Sequence, residues 1–496
     1  MSFNSLEFLV FLPVVVLLYW LLPHKARWIL LLVASYIFYM SWNVWLIGLI
    51  LITTVTAYVA GIGIDRSENK KTKKIWLVVT LVVCLGLLVF FKYINFILES
   101  VVGVIRLFDV KQDELVLNII LPVGISFYTF QTLSYVIDVY RGDFKAERHF
   151  GYFALYVSYF PQLVAGPIER PQNLLPQLKE RHNIDENDML TGAKWLLSGF
   201  FRKCVVADFC GIFVDRVYAD LGGANALAVF IASALFLIQI YNDFASYSEI
   251  ALGSARLMGV KLSKNFDRPL TSTSYTEFFR RWHITLNQWF TQYVYIPLGG
   301  NRKGTARRVL NTLIVFTLCG LWHGASWTFV LWGLAAGVAV GIETIFKKAA
   351  KKERGDANTS ARAPALKLLR QSFIFVLFTF SCVLFRAQSL AEVGTAFRQM
   401  FTAWGFGEEY INSAMSALGM STRQILYLAA VIAAMALLYR LTAEGREKRE
   451  VGLSGSLVRE ERTNIALFVY GILAIALFWL ALLSAGDVSG FEYFQF

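Results

Sequence analysis

Acidic side chains are in short supply: 35 Asp and Glu stand against 47 Lys and Arg, a formal net charge of +12. Charge of either sign is scarce, at 17% of 496 residues, while 56% are apolar. In so apolar a chain the basic excess reflects cytoplasmic loops and anionic lipid. It can also attract an anionic ligand, and nothing in it points to nucleic acid. Cysteine is sparse too. Cys84, Cys204, Cys210, Cys319 and Cys382 form no C-x-x-C pair and lie mostly in apolar context, so neither disulfides nor a metal site is expected. Proline is rare, with ten in all, and three of them fall within Pro161–Pro171.

What the scarcity of charge leaves is a set of long apolar runs. Trp28–Ile64, Ile75–Phe91, Leu115–Ile137, Phe150–Ile168, Leu221–Asn242, Val309–Ile342 and Thr463–Gly486 contain no Asp, Glu, Lys or Arg. In lipid such runs form helices, because a helix satisfies its backbone polar groups within the segment. The fold class is all-α, a polytopic transmembrane helical bundle with about ten or eleven crossings plus re-entrant and interfacial pieces. No boundary suggests a soluble domain, so 1–496 reads as one integral membrane domain, and no internal repeat is visible. Glu7 precedes the first apolar run where a cleavable signal would carry positive charge, so Phe8–Leu22 reads as a retained helix.

Loop charge orients the runs. His24–Arg27, Asp65–Lys74 and Arg141–Arg148 should face the cytoplasm, as should Lys347–Arg370, and Arg440–Arg462 is another charged loop. Ser41-Trp42-Asn43 breaks Trp28–Ile64 and suits an outer interface. Pro122 and Gly124 are expected kink points within Leu115–Ile137. Ser372–Phe385 is apolar but short, and Gln424–Tyr439 is long enough to span.

Val309–Ile342 holds 34 residues. As one helix it would be roughly 51 Å long, against a hydrocarbon core of about 30 Å. Both flanks are basic: Arg302, Lys303, Arg307 and Arg308 before, Lys347, Lys348, Lys351, Lys352 and Arg354 after. The segment should therefore enter and return as a hairpin, with limbs Val309–Trp322 and Gly324–Ile342. His323 sits near the fold, with Gly320 and Gly324 loosening the helix on either side. A titratable ring at that depth marks a relay, pathway or active site, or hydrogen-bonds a neighbouring helix.

Three further blocks stand out. Pro161–Pro171 carries irregular backbone of a kind tolerated at membrane depth only when buried in protein or lining a wet cavity, and it reads equally as a surface loop. Asp243 and Glu249 end a span as candidate polar lining, or equally cap helices or pair with a nearby Arg. Ser274–Asn301 spaces aromatic and basic residues for an interfacial helix, placing Arg280, His283 and Asn287 on one face. Gly299–Gly304 could cradle a phosphate but lacks P-loop spacing.

Taken together, Leu121–Gly142, Tyr159–Pro171, Ile240–Gly259, Phe278–Gly304 (FFRRWHITLNQWFTQYVYIPLGGNRKG) and Gly320–Gly333 (GLWHGASWTFVLWG) resemble the membrane-bound O-acyltransferase family. Within it they look like the bacterial subgroup that acetylates alginate-, cellulose- or peptidoglycan-type polysaccharides. The resemblance covers most of 1–385. It is weaker over 386–496, where partner- or substrate-specific differences belong, although the closing Phe491–Phe496 (FEYFQF) again resembles the subgroup, with Glu492 in place of an apolar residue.

The resemblance implies a multi-pass protein of the bacterial inner membrane that uses acetyl-CoA as donor and binds no permanent cofactor. The implied partners are membrane lipid, an extracytoplasmic acetyltransferase and a polysaccharide acceptor. His323 and His283 are then the catalytic candidates. His323 suits the general base, since a neutral imidazole accepts a proton near neutral pH. Asn287, Trp282, Arg280, Trp322, Asp243 and Tyr241 are candidates to line the site, and Arg302, Lys303, Arg307 and Arg308 to meet the phosphates of CoA. Cys319, one turn before His323, would allow an acyl-enzyme, though a buried cysteine usually only packs. A secondary transporter or a structural subunit of an export complex are the other classes considered, and the two histidine blocks argue against both.

Overall fold

The computed structural model describes residues 1–108, 116–354 and 364–431. Among the described residues there are helices and no β-strand. In chain order the helices are α1 (Leu6–Leu21), α2 (His24–Met40), α3 (Ile47–Arg66), α4 (Lys70–Leu88), α5 (Ile94–Arg106), α6 (Ile125–Arg141), α7 (Phe150–Ser158), α8 (Pro171–Lys179) and α9 (Glu186–Phe201). There follow α10 (Asp208–Ala219), α11 (Ala226–Arg256), α12 (Tyr275–Arg281), α13 (Ile284–Phe290), α14 (Gly304–His323), α15 (Trp327–Arg354), α16 (Pro364–Arg386), α17 (Leu390–Thr402) and α18 (Glu408–Leu418). Short π-helical segments sit at Val89–Tyr93, Arg202–Ala207 and Thr291–Tyr295.

Among the described residues, five stretches are long and apolar enough to cross a membrane: Val44–Arg66, Lys70–Arg106, Ala226–Arg256, Trp327–Lys347 and Ala365–Arg386. Several expected crossings resolve into shorter pieces. Of Leu115–Ile137, described from 116, only the part from Ile125 is helical, because Pro122 lies just before a turn and Gly124 takes φ +76° to start α6. Phe150–Ile168 becomes the nine-residue α7 followed by turns. Those turns, Pro161–Glu169, are buried, so the surface-loop reading fails and the buried-backbone reading holds. Thr463–Gly486, Arg440–Arg462 and Phe491–Phe496 lie outside the described residues, as does Gln424–Tyr439 beyond 431.

The described residues fall into two compact units. Among the described residues, the first comprises Met1–Leu196 with Tyr247–Leu377, and the second Leu197–Ser246 with 378–431. In the second unit, Lys203 is buried against Asp243 Oδ1 at 2.9 Å and Asp208 Oδ1 at 2.7 Å. Arg386 there pairs with Asp215 at 2.7 Å.

The first unit contains the expected hairpin. α14 and α15 run back along each other, joined by Gly324-Ala325-Ser326. The glycines act by permitting contact. A Cβ on Gly320 would lie 2.2 Å from the Phe329 carbonyl oxygen, and one on Gly333 would lie 2.3 Å from that of Phe316. Small residues at such a crossing let two backbones meet, which is how helices gain packing where lipid offers no hydrophobic drive. Contrary to the expectation of a loosened helix, α14 runs unbroken through Gly320. Gly324 is held small by the Phe329 ring, 2.2 Å from where its Cβ would stand.

Candidate functional site

His323 is the last residue of α14 and is buried. Its ring meets Trp322 at 5.1 Å, Trp332 of α15 at 5.3 Å and His283 at 6.4 Å between centroids. Sequence positions forty apart thus bring two imidazoles together in an aromatic enclosure. Phe127 of α6 closes it, stacking on His283 at 6.1 Å and meeting Trp322 at 5.1 Å. Trp322 lies 5.7 Å from both Phe130 and His283, and its Nε1 is buried with no protein acceptor.

His283 is reached by a break in the chain. The expected interfacial helix is split into α12 and α13, seven residues each, because His283 adopts φ +44° and ψ +53°. That left-handed conformation is uncommon for a non-glycine residue and is found where surrounding contacts enforce it. Here they are explicit. Asn287 Nδ2 donates to the carbonyls of Phe279 at 2.8 Å, Trp282 at 2.6 Å and His283 at 3.3 Å, gathering the orphaned end of α12. The Ile284 N–H donates to the Asn265 carbonyl at 2.8 Å. The Asn265 side chain then fixes the ring. Its Oδ1 accepts from Thr285 N at 3.4 Å and Thr285 Oγ1 at 3.0 Å and lies 3.1 Å from His283 Nδ1. An oxygen already facing a backbone N–H can only accept, so Nδ1 carries the proton and Nε2 is the acceptor nitrogen.

The break corrects the one-face arrangement. Arg280 is exposed, His283 is buried, and Asn287 turns back to the backbone. Trp282 is half-buried, stacked on Phe278 at 5.3 Å and edge-on to Phe266 at 5.2 Å. Helix α12 is itself started by an N-cap, Ser274 Oγ accepting from Glu277 N at 3.1 Å. Burial raises the Glu277 carboxyl, but the N–H and hydroxyl of Thr273 together with Arg281 outweigh it and hold it below the usual carboxylate range.

Asp243 and Tyr241 belong to the second unit, Asp243 bonded to Lys203 and the Tyr241 ring 5.6 Å from the Arg202 guanidinium. Arg302, Lys303, Arg307 and Arg308 are exposed at the start of α14. The preceding loop turns through Gly299, Gly300 and Gly304, all with positive φ, and Asn311 Nδ2 holds the Gly300 carbonyl at 2.9 Å. Cys319 is buried on α14. Sequence reasoning passed over Asn265, Thr285 and Lys92. Lys92 does carry a signal, as a lone cation directly after the charge-free Ile75–Phe91.

The family described as MBOAT, membrane-bound O-acyltransferase family, matches over residues 148–386. A probable alginate O-acetylase of Azotobacter vinelandii, AlgI, is 34% identical over 514 residues, covering 100% of both chains. A peptidoglycan O-acetyltransferase of Helicobacter pylori is 33% identical, covering 71% of this chain and 72% of its own. A teichoic acid D-alanyltransferase of Streptococcus thermophilus is 28% identical, covering 51% of this chain and 65% of its own.

Proposed function

Because the chain belongs to the membrane-bound O-acyltransferase family, and is therefore a multi-pass membrane enzyme that transfers acyl groups to oxygen, we propose that its acyl group is acetyl, drawn from acetyl-CoA on the cytoplasmic side of a bacterial inner membrane. The acceptor is a cell-surface or exported polysaccharide of alginate, cellulose or peptidoglycan type, reached directly or through an extracytoplasmic acetyltransferase partner. The names of these two relatives support an O-acetyl product.

The observation that carries the reading is the buried pair of imidazoles at the end of a membrane hairpin, 6.4 Å apart. In the proposed reaction neutral His323 takes the proton of the acceptor hydroxyl as its oxygen attacks the thioester carbonyl carbon. The carbon–sulfur bond then breaks, and the sulfur leaves with the proton returned by the imidazolium. His283, its Nδ1–H held by Asn265, presents Nε2 as a second acceptor. The Trp322 indole N–H is a donor suited to the oxygen that gains charge at the carbonyl. The exposed Arg302, Lys303, Arg307 and Arg308 meet the phosphates of CoA on the basic, cytoplasmic side.

The test is turnover of acetyl-CoA by the purified protein, with and without the products of neighbouring genes. His323→Ala should lose on the order of 10²–10⁴-fold, the usual contribution of a general base. A His323→Ala protein that works at the wild-type rate refutes the assignment.

A further inference from the structure

The four terminal carbonyls of a helix have no partner within it, and α14 ends in the buried site. Their destinations can be counted. Gly320 O accepts from Gly324 N at 3.3 Å. Leu321 O accepts from the Tyr93 hydroxyl at 3.0 Å. Trp322 O and His323 O both accept from Lys92 Nζ, at 2.7 Å and 3.0 Å. Three of the four are thus satisfied by two adjacent side chains more than two hundred residues away. The same ammonium stands 5.9 Å from the Trp322 ring centroid.

Lys92 and Tyr93 close the π-helical segment Val89–Tyr93, which interrupts the apolar stretch Lys70–Arg106 between α4 and α5. The extra residue of a π-turn re-aims side chains, and such turns recur at functional sites. A lysine within a membrane-spanning stretch is costly unless something on the protein side receives it. The C-terminal end of α14 does so twice over, since its carbonyls are acceptors and its dipole is negative.

We propose that Lys92 is the positioning residue of the reaction: it holds the Trp322 and His323 carbonyls, and through them sets where the His323 imidazole stands. It does not touch the reacting atoms. The inference rests on His323 being the general base. Losing the tether lets the ring drift from the attack geometry, and a displacement of about 1 Å can cost as much as 10²-fold in rate.

Lys92→Met keeps the length of the side chain and removes the charged donor. In purified, monodisperse protein it should lower kcat by roughly 10–100-fold and leave the KM for acetyl-CoA within about twofold, since the donor's binding is not at issue. Lys92→Arg, which keeps a charged donor, should recover part of the loss. A second readout does not need turnover: the rate at which diethyl pyrocarbonate modifies His323, read residue by residue by mass spectrometry, should change several-fold in Lys92→Met, while exposed His149 reacts as in wild type. Wild-type kcat in Lys92→Met, or an unchanged His323 modification rate, overturns the proposal. Should Lys92→Met fail to fold, Lys92→Gln takes its place, replacing the ammonium with a shorter, neutral side chain; a wild-type kcat and modification rate there overturn it equally. His323→Ala separates the two ideas. If it stays active, the base assignment fails; if it is inactive while Lys92→Met is unimpaired, only the positioning role fails.

Discussion

Trp322 shows how a single atom distinguishes a packing residue from a working one. Its ring is enclosed by Phe127, Phe130 and both histidines, yet its N–H is buried without a protein acceptor. Leaving a buried donor unsatisfied costs stability, about 1–3 kcal/mol by mutational series. Trp322→Phe removes that donor along with part of the ring. We expect its melting temperature in detergent to change little, because the lost packing and the relieved donor offset each other. Its kcat should fall at least about tenfold, in keeping with the loss of a donor to developing charge. Paired melting and turnover measurements on the purified variant check both halves. A large drop in melting temperature with kcat preserved would make Trp322 a packing residue.

At the scale of elements, the hairpin is the part most exposed to substitution. Leucine at Gly320 must displace the Phe329 carbonyl, which belongs to a helix and cannot move alone. Overpacking typically costs about 1–3 kcal/mol, and a backbone contact this short lies at or above the upper end. Gly320→Leu should therefore lower the melting temperature sharply or abolish the monodisperse fraction in size-exclusion chromatography. Gly337→Ala, where the nearest atoms would stand at 3.2 Å and need shift only by tenths of an ångström, should cost much less. This element was also the most legible one in the sequence. A charge-free run too long for one crossing, with basic residues at both ends, has few alternatives to going in and coming back. The break at His283 had no comparable signal. The spacing of Arg280, His283 and Asn287 is that of a continuous helix, and nothing in a histidine announces a left-handed backbone. That conformation is imposed by Asn287 and Asn265, whose bonds depend on the folded path. The π-helical segments were equally silent, since they add one residue to a turn without altering composition.

At the scale of the whole molecule, the family and its chemistry were readable because they rest on local blocks, whereas the partners of buried charges were not. Asp243 could be singled out as polar within a span, but its counter-ion Lys203 is forty residues away on another helix. Removing one member of such a pair leaves the other buried and uncompensated, at a cost of about 3–5 kcal/mol. Lys203→Met should accordingly lower the melting temperature strongly, and adding Asp243→Leu should restore part of it. Thermal unfolding of the two variants in the same detergent decides this; additive losses would show that the two residues act separately.

Lys92 has one more implication, and it concerns order in time. The lysine is synthesised 230 residues before the carbonyl of Trp322. Until the later segment arrives, a positive charge within an apolar stretch has no carbonyls from α14 to receive it. Docking of the hairpin therefore relieves an electrostatic debt left by the early helices. Seating the histidine and settling the nascent bundle become one event.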